Sequence, residues 1–519
     1  MIENYLDRLA KTINENWDNP ALTDFYLTED GSAQDTSRGN HYTYGEMYEE
    51  ILRLVQLFKE LGLHKGDHIA ICGANSAHWA IAYLAIAAYQ GVAVTILHSQ
   101  SPEDIAHQID FSDAKALFTD SDLWEELQDQ SLPQVENVIS LVDWQTLRGK
   151  QIFNLQSPKT QLIAPLRQRI SNREADFIHD ESDTLAMICF TSGSTGVSKG
   201  VMLSYRSISN NLVHIWRGYS ISTYPDIFSL LPFAHMFGLI NDLLGQLTMA
   251  KHIYIGAHLR GLNDIYNSLR IVRPYAITII PSILIELHNR YKESFYSQVC
   301  ENCKLIATGG SHISKDVEQS LLEHQLPLAV GYGMTEAGPA ISGDTYGKNK
   351  YYSCGTIVVG MTARIAPNGE ILVKGENVML GYYKDPEATA RKIDSDGWLH
   401  TGDKGHLDED GYLYVEGRLE QDMIVLPNGE NIHPEDIERK INALPEVSES
   451  LVLARDGHLI AIVFPKNLSV LADFKDFRRT ILRTINPVLP MYSQLYDIEI
   501  TDAPLQKTKK QTLKRYLYK

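Results

Sequence analysis

The sequence predicts an α/β protein: a large N-terminal domain of α/β layers with a strand-rich subdomain, then a small C-terminal α+β domain. Three observations lead there. Short β-branched runs alternate with helical periodicity early in the chain, hairpin signals crowd residues 355–415, and a helix–strand–turn–strand pattern follows Arg418. The 519 residues allow a large core, and 44% apolar with 22% charged residues is an ordinary globular composition. Collagen-like, wholly disordered and membrane-spanning chains are excluded. The net charge is −18, which argues against a general nucleic-acid binder, because that class needs a broad basic surface.

The elements follow in order. From Tyr44, the residues Met47, Ile51, Leu54, Val55 and Phe58 share one helical face until Gly62 stops it. A strand spans His68–Cys72. The apolar stretch Trp79–Ala88 is too short to cross a bilayer and reads as a buried helix. Gly91 leads into a β-branched run to Leu97. Ser101 caps a helix with Pro102 at its first position, Phe111 ends it, and Ala116–Thr119 is the next strand. Asn368-Gly369 and Asp410-Gly411 mark hairpin turns in the strand-rich part. Beyond Arg418 come a helix at Pro434–Leu444, a strand at Val447–Ala454, a turn at Asp456-Gly457 and a strand at His458–Phe464. The expected domains are residues 1–418 and 419–519.

The N-terminus carries Glu3, Asp7 and Arg8 and has no apolar run, so no signal peptide is read there and a cytoplasmic protein is expected. Five scattered cysteines make no disulfide framework. Cys300 and Cys303 form a lone CxxC with no second pair or nearby His, and read as ordinary thiols.

The segment richest in chemistry is Thr191-Ser192-Gly193-Ser194-Thr195-Gly196-Val197-Ser198-Lys199-Gly200, between the apolar strands Asp183–Phe190 and Val201–Leu203. Three glycines let backbone N–H groups turn toward an anion, and hydroxyls and Lys199 add donors. A phosphate cradle is favoured over a flexible linker, although the spacing is not that of the P-loop NTPases. Further along stand Leu231-Pro232-Phe233-Ala234-His235-Met236-Phe237-Gly238, Gly331-Tyr332-Gly333-Met334-Thr335-Glu336, Gly397-Trp398-Leu399-His400-Thr401-Gly402-Asp403, and Gly417-Arg418. Tyr332 between glycines is free to stack on a base, Thr335 can donate to a phosphate, and Glu336 can hold a hard cation. Asp403, beside a Thr-Gly turn, has a carboxylate that suits two ribose hydroxyls, with an Asx turn as the plain alternative. His235 in an apolar segment is by itself more often a core residue.

In this order, from about Thr43 to the C-terminus, the segments resemble the AMP-forming adenylating enzymes, and among them the acyl-CoA synthetases. The resemblance implies ATP-dependent activation of a carboxylic acid, most simply a medium- or long-chain fatty acid, through acyl-AMP to acyl-CoA. ATP, Mg²⁺ and CoA are the implied cofactors. It assigns nucleotide contacts to Thr191, Ser192, Gly193, Ser194, Thr195, Gly196, Lys199, Gly310, Tyr332, Gly333, Thr335, Asp403 and Arg418. Lys199, Thr335 and Glu336 become catalytic, with Glu336 holding the metal. His235, Phe237 and Gly309 would bind the acyl group, with the tail among Leu239, Ile240, Ile280 and Ala340. Gly429, in Pro427-Asn428-Gly429-Glu430, would meet CoA. Peptide-synthetase relatives have Asp after the Phe to pair an ammonium; here Ala234 follows Phe233, which disfavours an α-amino acid.

Two departures stand out. The segment after Gly417-Arg418 is one residue longer than the family pattern, which leaves Glu420, Gln421 or Asp422 as the hinge, and the family's C-terminal catalytic lysine falls on Thr512, with Lys510 and Lys514 nearby. Lys510 is the expected substitute. Residues 503–519 hold six basic residues and no acidic ones, read first as a solvated tail, then as a compensating site, then as a peripheral contact with anionic lipid. An acyl carrier protein replacing CoA as acceptor, and a weakly adenylating nucleotide-binding regulator, are the alternatives.

Overall fold

The computed structural model describes residues 3–150, 162, 164–177, 183–191, 198–218, 226–256, 258–299, 301–310, 313, 315–326, 328–344, 350–418, 424–426, 431–432, 434–455, 457–467, 474–506 and 517–518. The chain divides into two compact units, and the division in the C-terminal part falls between Gly417 and Arg418.

Among the described residues, the large unit contains mixed sheets of eight and nine strands and an antiparallel sheet of four. The eight-stranded sheet is centred on Val92–Ile96 and His68–Cys72, which pair in parallel. Val92–Ile96 is buried at every position, as a strand covered on both faces must be, and its sequence is apolar except for Thr95. The helix Tyr44–Glu60 begins with a capping box: Thr43 accepts from the Glu46 N–H and the Glu46 carboxylate accepts from the Thr43 N–H. Ala77–Ala88 is buried on every side, with Ser76 as its cap. Ser101 caps Pro102–Phe111 as the sequence predicts.

The nine-stranded sheet positions the site. Its parallel core runs His252–Gly256, Asp226–Ser229, Ala276–Ile279, Leu305–Gly309 and Leu328–Gly333. Ligands of such sheets gather at the carboxyl ends of the strands, where Ser229, Gly309 and Gly333 lie. The four-stranded sheet runs Met361–Ile365, Glu370–Gly375, Leu399–Leu407 and Leu413–Arg418, with Asn368-Gly369 turning the first hairpin.

The small unit pairs Val447–Arg455 antiparallel with His458–Pro465, which pairs in parallel with Asp497–Ile500. The helices Pro434–Asn442 and Phe474–Ile485 contribute Ile437, Ile441, Ile481 and Ile485 to its own core. That third strand and the second helix carry weaker sequence signals than the two strands before them.

Candidate active site

The strands Leu185–Thr191 and Lys199–Ser204 form an antiparallel hairpin in which Thr191 and Lys199 are the last pair before the loop. The loop positions Ser192, Gly193, Ser194, Thr195 and Gly196 lie outside the described residues. Pairing places Lys199 on a strand at a fixed point. Its Nζ stands 5.0 Å from the centre of the Tyr382 ring, within cation–π reach.

Tyr382 is the residue that sequence reading missed. It lies in the short strand Gly381–Tyr382, which pairs with the Lys199 strand. Its hydroxyl donates to Glu336 Oε1 at 2.7 Å. Burial, reinforced by the Glu336 carboxylate, pushes the phenol far above the usual tyrosine range, so it stays protonated and remains a donor. Glu336 itself is buried, in the one-turn helix Thr335–Ala337. The only advance signal for Tyr382 was a Gly-Tyr step after a turn, too common a pattern to single out.

Tyr332 ends near Asp403: its hydroxyl donates to Asp403 Oδ2 at 2.6 Å. The sequence suggests a tight turn at Thr401-Gly402, and the structure shows a bulge inside the strand Leu399–Leu407 instead. Glu370 pairs with Lys404 and Leu372 with His400, so residues 401–403 face Ile371 alone. Gly402, at φ +78°, supplies the left-handed step. Glu370 fixes the bulge with both oxygens, accepting from the Gly402 N–H at 3.0 Å and meeting His400 Nδ1 at 3.1 Å.

Gly309 ends its strand where a side chain has no room: an added Cβ would lie 2.7 Å from the Gly331 carbonyl oxygen. The Phe237 ring lies on that same side, 3.7 Å from the Cβ position, so two of the three expected acyl contacts are brought together. Gly310 follows at φ +85°. His235 is exposed rather than in the core, and its Nδ1 accepts from the Phe237 N–H at 3.2 Å. In the neutral ring the proton therefore sits on Nε2. The loop holding His235 is pinned from two sides. Asn75 accepts from the Phe233 N–H at 2.8 Å and donates to the Leu231 carbonyl at 2.7 Å. Asp242 accepts from Ser229 at 3.0 Å and from the Leu231 N–H at 3.3 Å.

Asp242 lies in the π-helix Gly238–Leu244, an irregular turn of the kind found at functional sites. Burial raises its carboxyl to about 7. A lone acid inside an apolar run was its sequence signal. Leu239 and Ile240, expected along the tail, are buried in the main core.

Arg418 closes the strand Leu413–Arg418. Gly429, Glu420, Gln421, Asp422, Lys510 and Thr512 lie outside the described residues, as does Cys300; Cys303 is a buried thiol donating to the Leu305 carbonyl at 3.2 Å. Among the described residues no three His, Cys, Asp or Glu side chains gather as a metal cluster, and no helix is long and apolar enough to cross a membrane.

The sequence model of the AMP-binding enzyme family matches residues 9–383, and that of the AMP-binding enzyme C-terminal domain matches residues 421–518. The chain belongs to the AMP-binding enzyme family. Its relatives place it with the AMP-forming acid:CoA ligases. It is 27% identical over 453 residues to 4-coumarate--CoA ligase 3 of Oryza sativa subsp. japonica, covering 82% of this chain and 77% of that one. It is 30% identical over 431 residues to the 3-[(3aS,4S,7aS)-7a-methyl-1,5-dioxo-octahydro-1H-inden-4-yl]propanoyl:CoA ligase of Rhodococcus jostii (strain RHA1), covering 79% and 80%. The fold is shared with o-succinylbenzoate CoA synthetase (MenE) from Bacillus subtilis, at TM-score 0.75 and 22% identity over 99% and 98% of the two chains.

Proposed function

We propose that this ligase activates a medium- or long-chain fatty acid, and that Lys199, Thr335, Glu336, Tyr332, Asp403 and Arg418 serve its nucleotide. The observation that carries the site reading is the Lys199–Tyr382–Glu336 cluster, which sets a cation and a carboxylate on neighbouring elements. The Phe237 ring beside Gly309 offers an apolar face to the acid, although the two relatives above are named for 4-coumarate and for a polycyclic propanoyl acid. His235, Phe237 and Gly309 would flank its carboxylate.

In the first half-reaction a carboxylate oxygen bonds to the ATP α-phosphorus as the bond to the bridging oxygen breaks, leaving acyl-AMP and pyrophosphate. Lys199 would offset phosphate charge, Thr335 would donate to the α-phosphate, and Asp403 would accept from the ribose. In the second, the CoA thiolate bonds to the acyl carbon and AMP leaves, and Gly429 would be a CoA contact. Glu336 fits a magnesium site: Mg²⁺ uses one or two carboxylates with substrate phosphates rather than an all-protein cage, and the Tyr382 hydroxyl occupies only part of this carboxylate. Bound there, the ion would neutralise phosphate charge. The cytoplasm is the proposed location, supported by the unpaired thiols among the described residues.

The test is a panel of carboxylic acids with ATP, Mg²⁺ and CoA, reading AMP and pyrophosphate. Methyl-ended fatty acids should release both. ADP as product would overturn the adenylation chemistry, and AMP turnover only with a carrier protein would change the acceptor to phosphopantetheine on that protein.

A further inference from the structure

The strand that carries Tyr382 has two residues and lies at the edge of the eight-stranded sheet. On its inner side the Leu380 N–H donates to the Met202 carbonyl at 2.9 Å and the Tyr383 N–H to the Gly200 carbonyl at 2.8 Å. The Tyr382 N–H turns instead to the Thr389 hydroxyl at 2.8 Å. A segment held by so few backbone bonds opens locally at low cost. Tyr382 nevertheless meets both Glu336 and Lys199, and each contact depends on where its ring stands.

The next two residues reach a helix end far away in sequence. The Tyr383 hydroxyl donates to Asp113 Oδ2 at 2.7 Å, and Lys384 Nζ donates to Asp113 Oδ1 at 2.8 Å. The same ammonium donates to the Phe111 carbonyl at 3.0 Å. Phe111 ends the helix Pro102–Phe111, which has no basic residue in its own last turn, so Lys384 satisfies one of its end carbonyls. The Tyr383 ring meets Phe111 edge-on at 6.0 Å and His68 at 5.4 Å. Phe111 in turn meets Phe190, on the hairpin that carries Lys199, at 6.3 Å. Asp113 and Lys384 each take a left-handed backbone at φ +56°, which residues other than glycine keep only where their surroundings fix it. A carboxylate just past a helix C-terminus stands at the wrong end of the helix dipole, so helix stability does not call for Asp113. The Lys384–Asp113 pair is partly exposed and contributes little alone. The charge-assisted bond from Tyr383, backed by two rings, is the stronger tie.

We propose that Asp113 and Tyr383 form a clamp that positions Tyr382, and through it Glu336 and Lys199, for adenylation. Both are positioning residues. The clamp ties the short edge strand to a helix end in the layer beside it, so that the hydroxyl and the ring face of Tyr382 stay in place together. This rests on the reading of Lys199, Tyr382 and Glu336 as part of the adenylating site.

The experiment is a double-mutant cycle on Tyr383→Phe and Tyr382→Phe. It is read by single-turnover acyl-AMP formation, the Mg²⁺ titration midpoint, amide hydrogen exchange at residues 381–384 and thermal melting. Tyr383→Phe keeps the ring between His68 and Phe111 and removes only the hydroxyl. It should slow acyl-AMP formation by about threefold to tenfold, shift the Mg²⁺ midpoint in the direction that Tyr382→Phe does, and quicken exchange at residues 381–384. In the Tyr382→Phe background the same change should cost less than about twofold, because the hydroxyl being positioned is already gone; a merely structural loss would multiply instead. Asp113→Ala should match Tyr383→Phe, and Asp113→Asn, which keeps an acceptor oxygen, should recover part of the rate. Should Asp113→Ala melt early, Tyr383→Phe and Asp113→Asn carry the test. A slow Tyr382→Phe beside a Tyr383→Phe with wild-type rate and midpoint, or effects that multiply in full, overturns the clamp and leaves the site reading standing. Tyr382→Phe at the wild-type rate, or absence of AMP with every acid, overturns both.

Discussion

The Tyr382 hydroxyl donates to Glu336 Oε1 at 2.7 Å, and the same ring lies 5.0 Å below the Lys199 ammonium. One aromatic side chain thus holds a carboxylate with its hydroxyl and a cation with its face. Neither charge touches the other through it. Tyr382 is in this sense a positioning residue for both.

Glu336→Gln should abolish Mg²⁺-dependent AMP formation while leaving thermal melting near wild type, because the amide keeps the shape and loses the charge. Tyr382→Phe is the gentler variant. It keeps the ring under Lys199 and removes one hydrogen bond to a carboxylate, for which about 1.5–3 kcal/mol is typical. A decrease of about tenfold to a hundredfold in the acyl-AMP rate is expected, with a shifted Mg²⁺ titration midpoint. An unchanged midpoint would show that Tyr382 only packs.

Tyr332→Phe removes the donor to Asp403 but keeps the ring that would stack on adenine. It should raise the KM for ATP several-fold with kcat little changed. Asp403→Ala should cost far more, since the ribose then loses its acceptor. Equal effects of the two would mean that Asp403 acts only through Tyr332. Nucleotide binding followed by calorimetry separates the cases.

These sites differ in how legible they are. The strands His68–Cys72 and Ala116–Thr119 have the same bounds in sequence and structure, because buried parallel strands are continuous apolar runs between turn residues. Tyr332, Asp403, Glu336 and Lys199 stand out through glycine-rich contexts that only tight turns or close backbone approach explain. Tyr382 does not, because its importance comes from pairing with a strand about 180 positions earlier, and pairing across such distances has no local signature. The bulge at Gly402 is likewise a property of two strands together: it needs Ile371 opposite three residues, whereas the sequence shows only Thr-Gly-Asp. Lys251 looks like an ordinary surface charge until the fold buries it.

Asp242 makes stability depend on pH. Its folded carboxyl is raised to about 7 by burial, against about 3.9 for an unfolded aspartate. Between those values the folded protein holds a proton that the unfolded chain has released, so stability falls as pH rises through that window. Asp344 is raised to about 7 by burial as well and acts in the same sense. Asp242→Asn keeps an acceptor for Ser229 and removes the Asp242 contribution. Urea midpoints should show the variant gaining on wild type from about pH 5 to about pH 8. A difference that stays constant with pH would place the Asp242 carboxyl near its ordinary range.

The last expectation concerns the lysine that the family pattern places at Thr512. An ammonium stabilising charge on the carboxylate–phosphate transition state is commonly worth several kcal/mol, and Thr512 cannot supply one. Lys510 lies two positions before it and Lys514 two after. We expect Lys510 to substitute, because a chain unable to adenylate would have little use for the Lys199, Thr335 and Glu336 arrangement. Lys510→Ala should then slow single-turnover acyl-AMP formation by orders of magnitude and spare thiolysis of supplied acyl-AMP, a step that does not need the adenylating ammonium. Lys514→Ala should do little, and Thr512→Lys should not accelerate the wild type. A wild type that adenylates slowly, and that Thr512→Lys speeds up, would show that no lysine substitutes. Equal rates in all four proteins would remove this tail from the adenylation site and leave Lys199 as the principal cation of the first half-reaction.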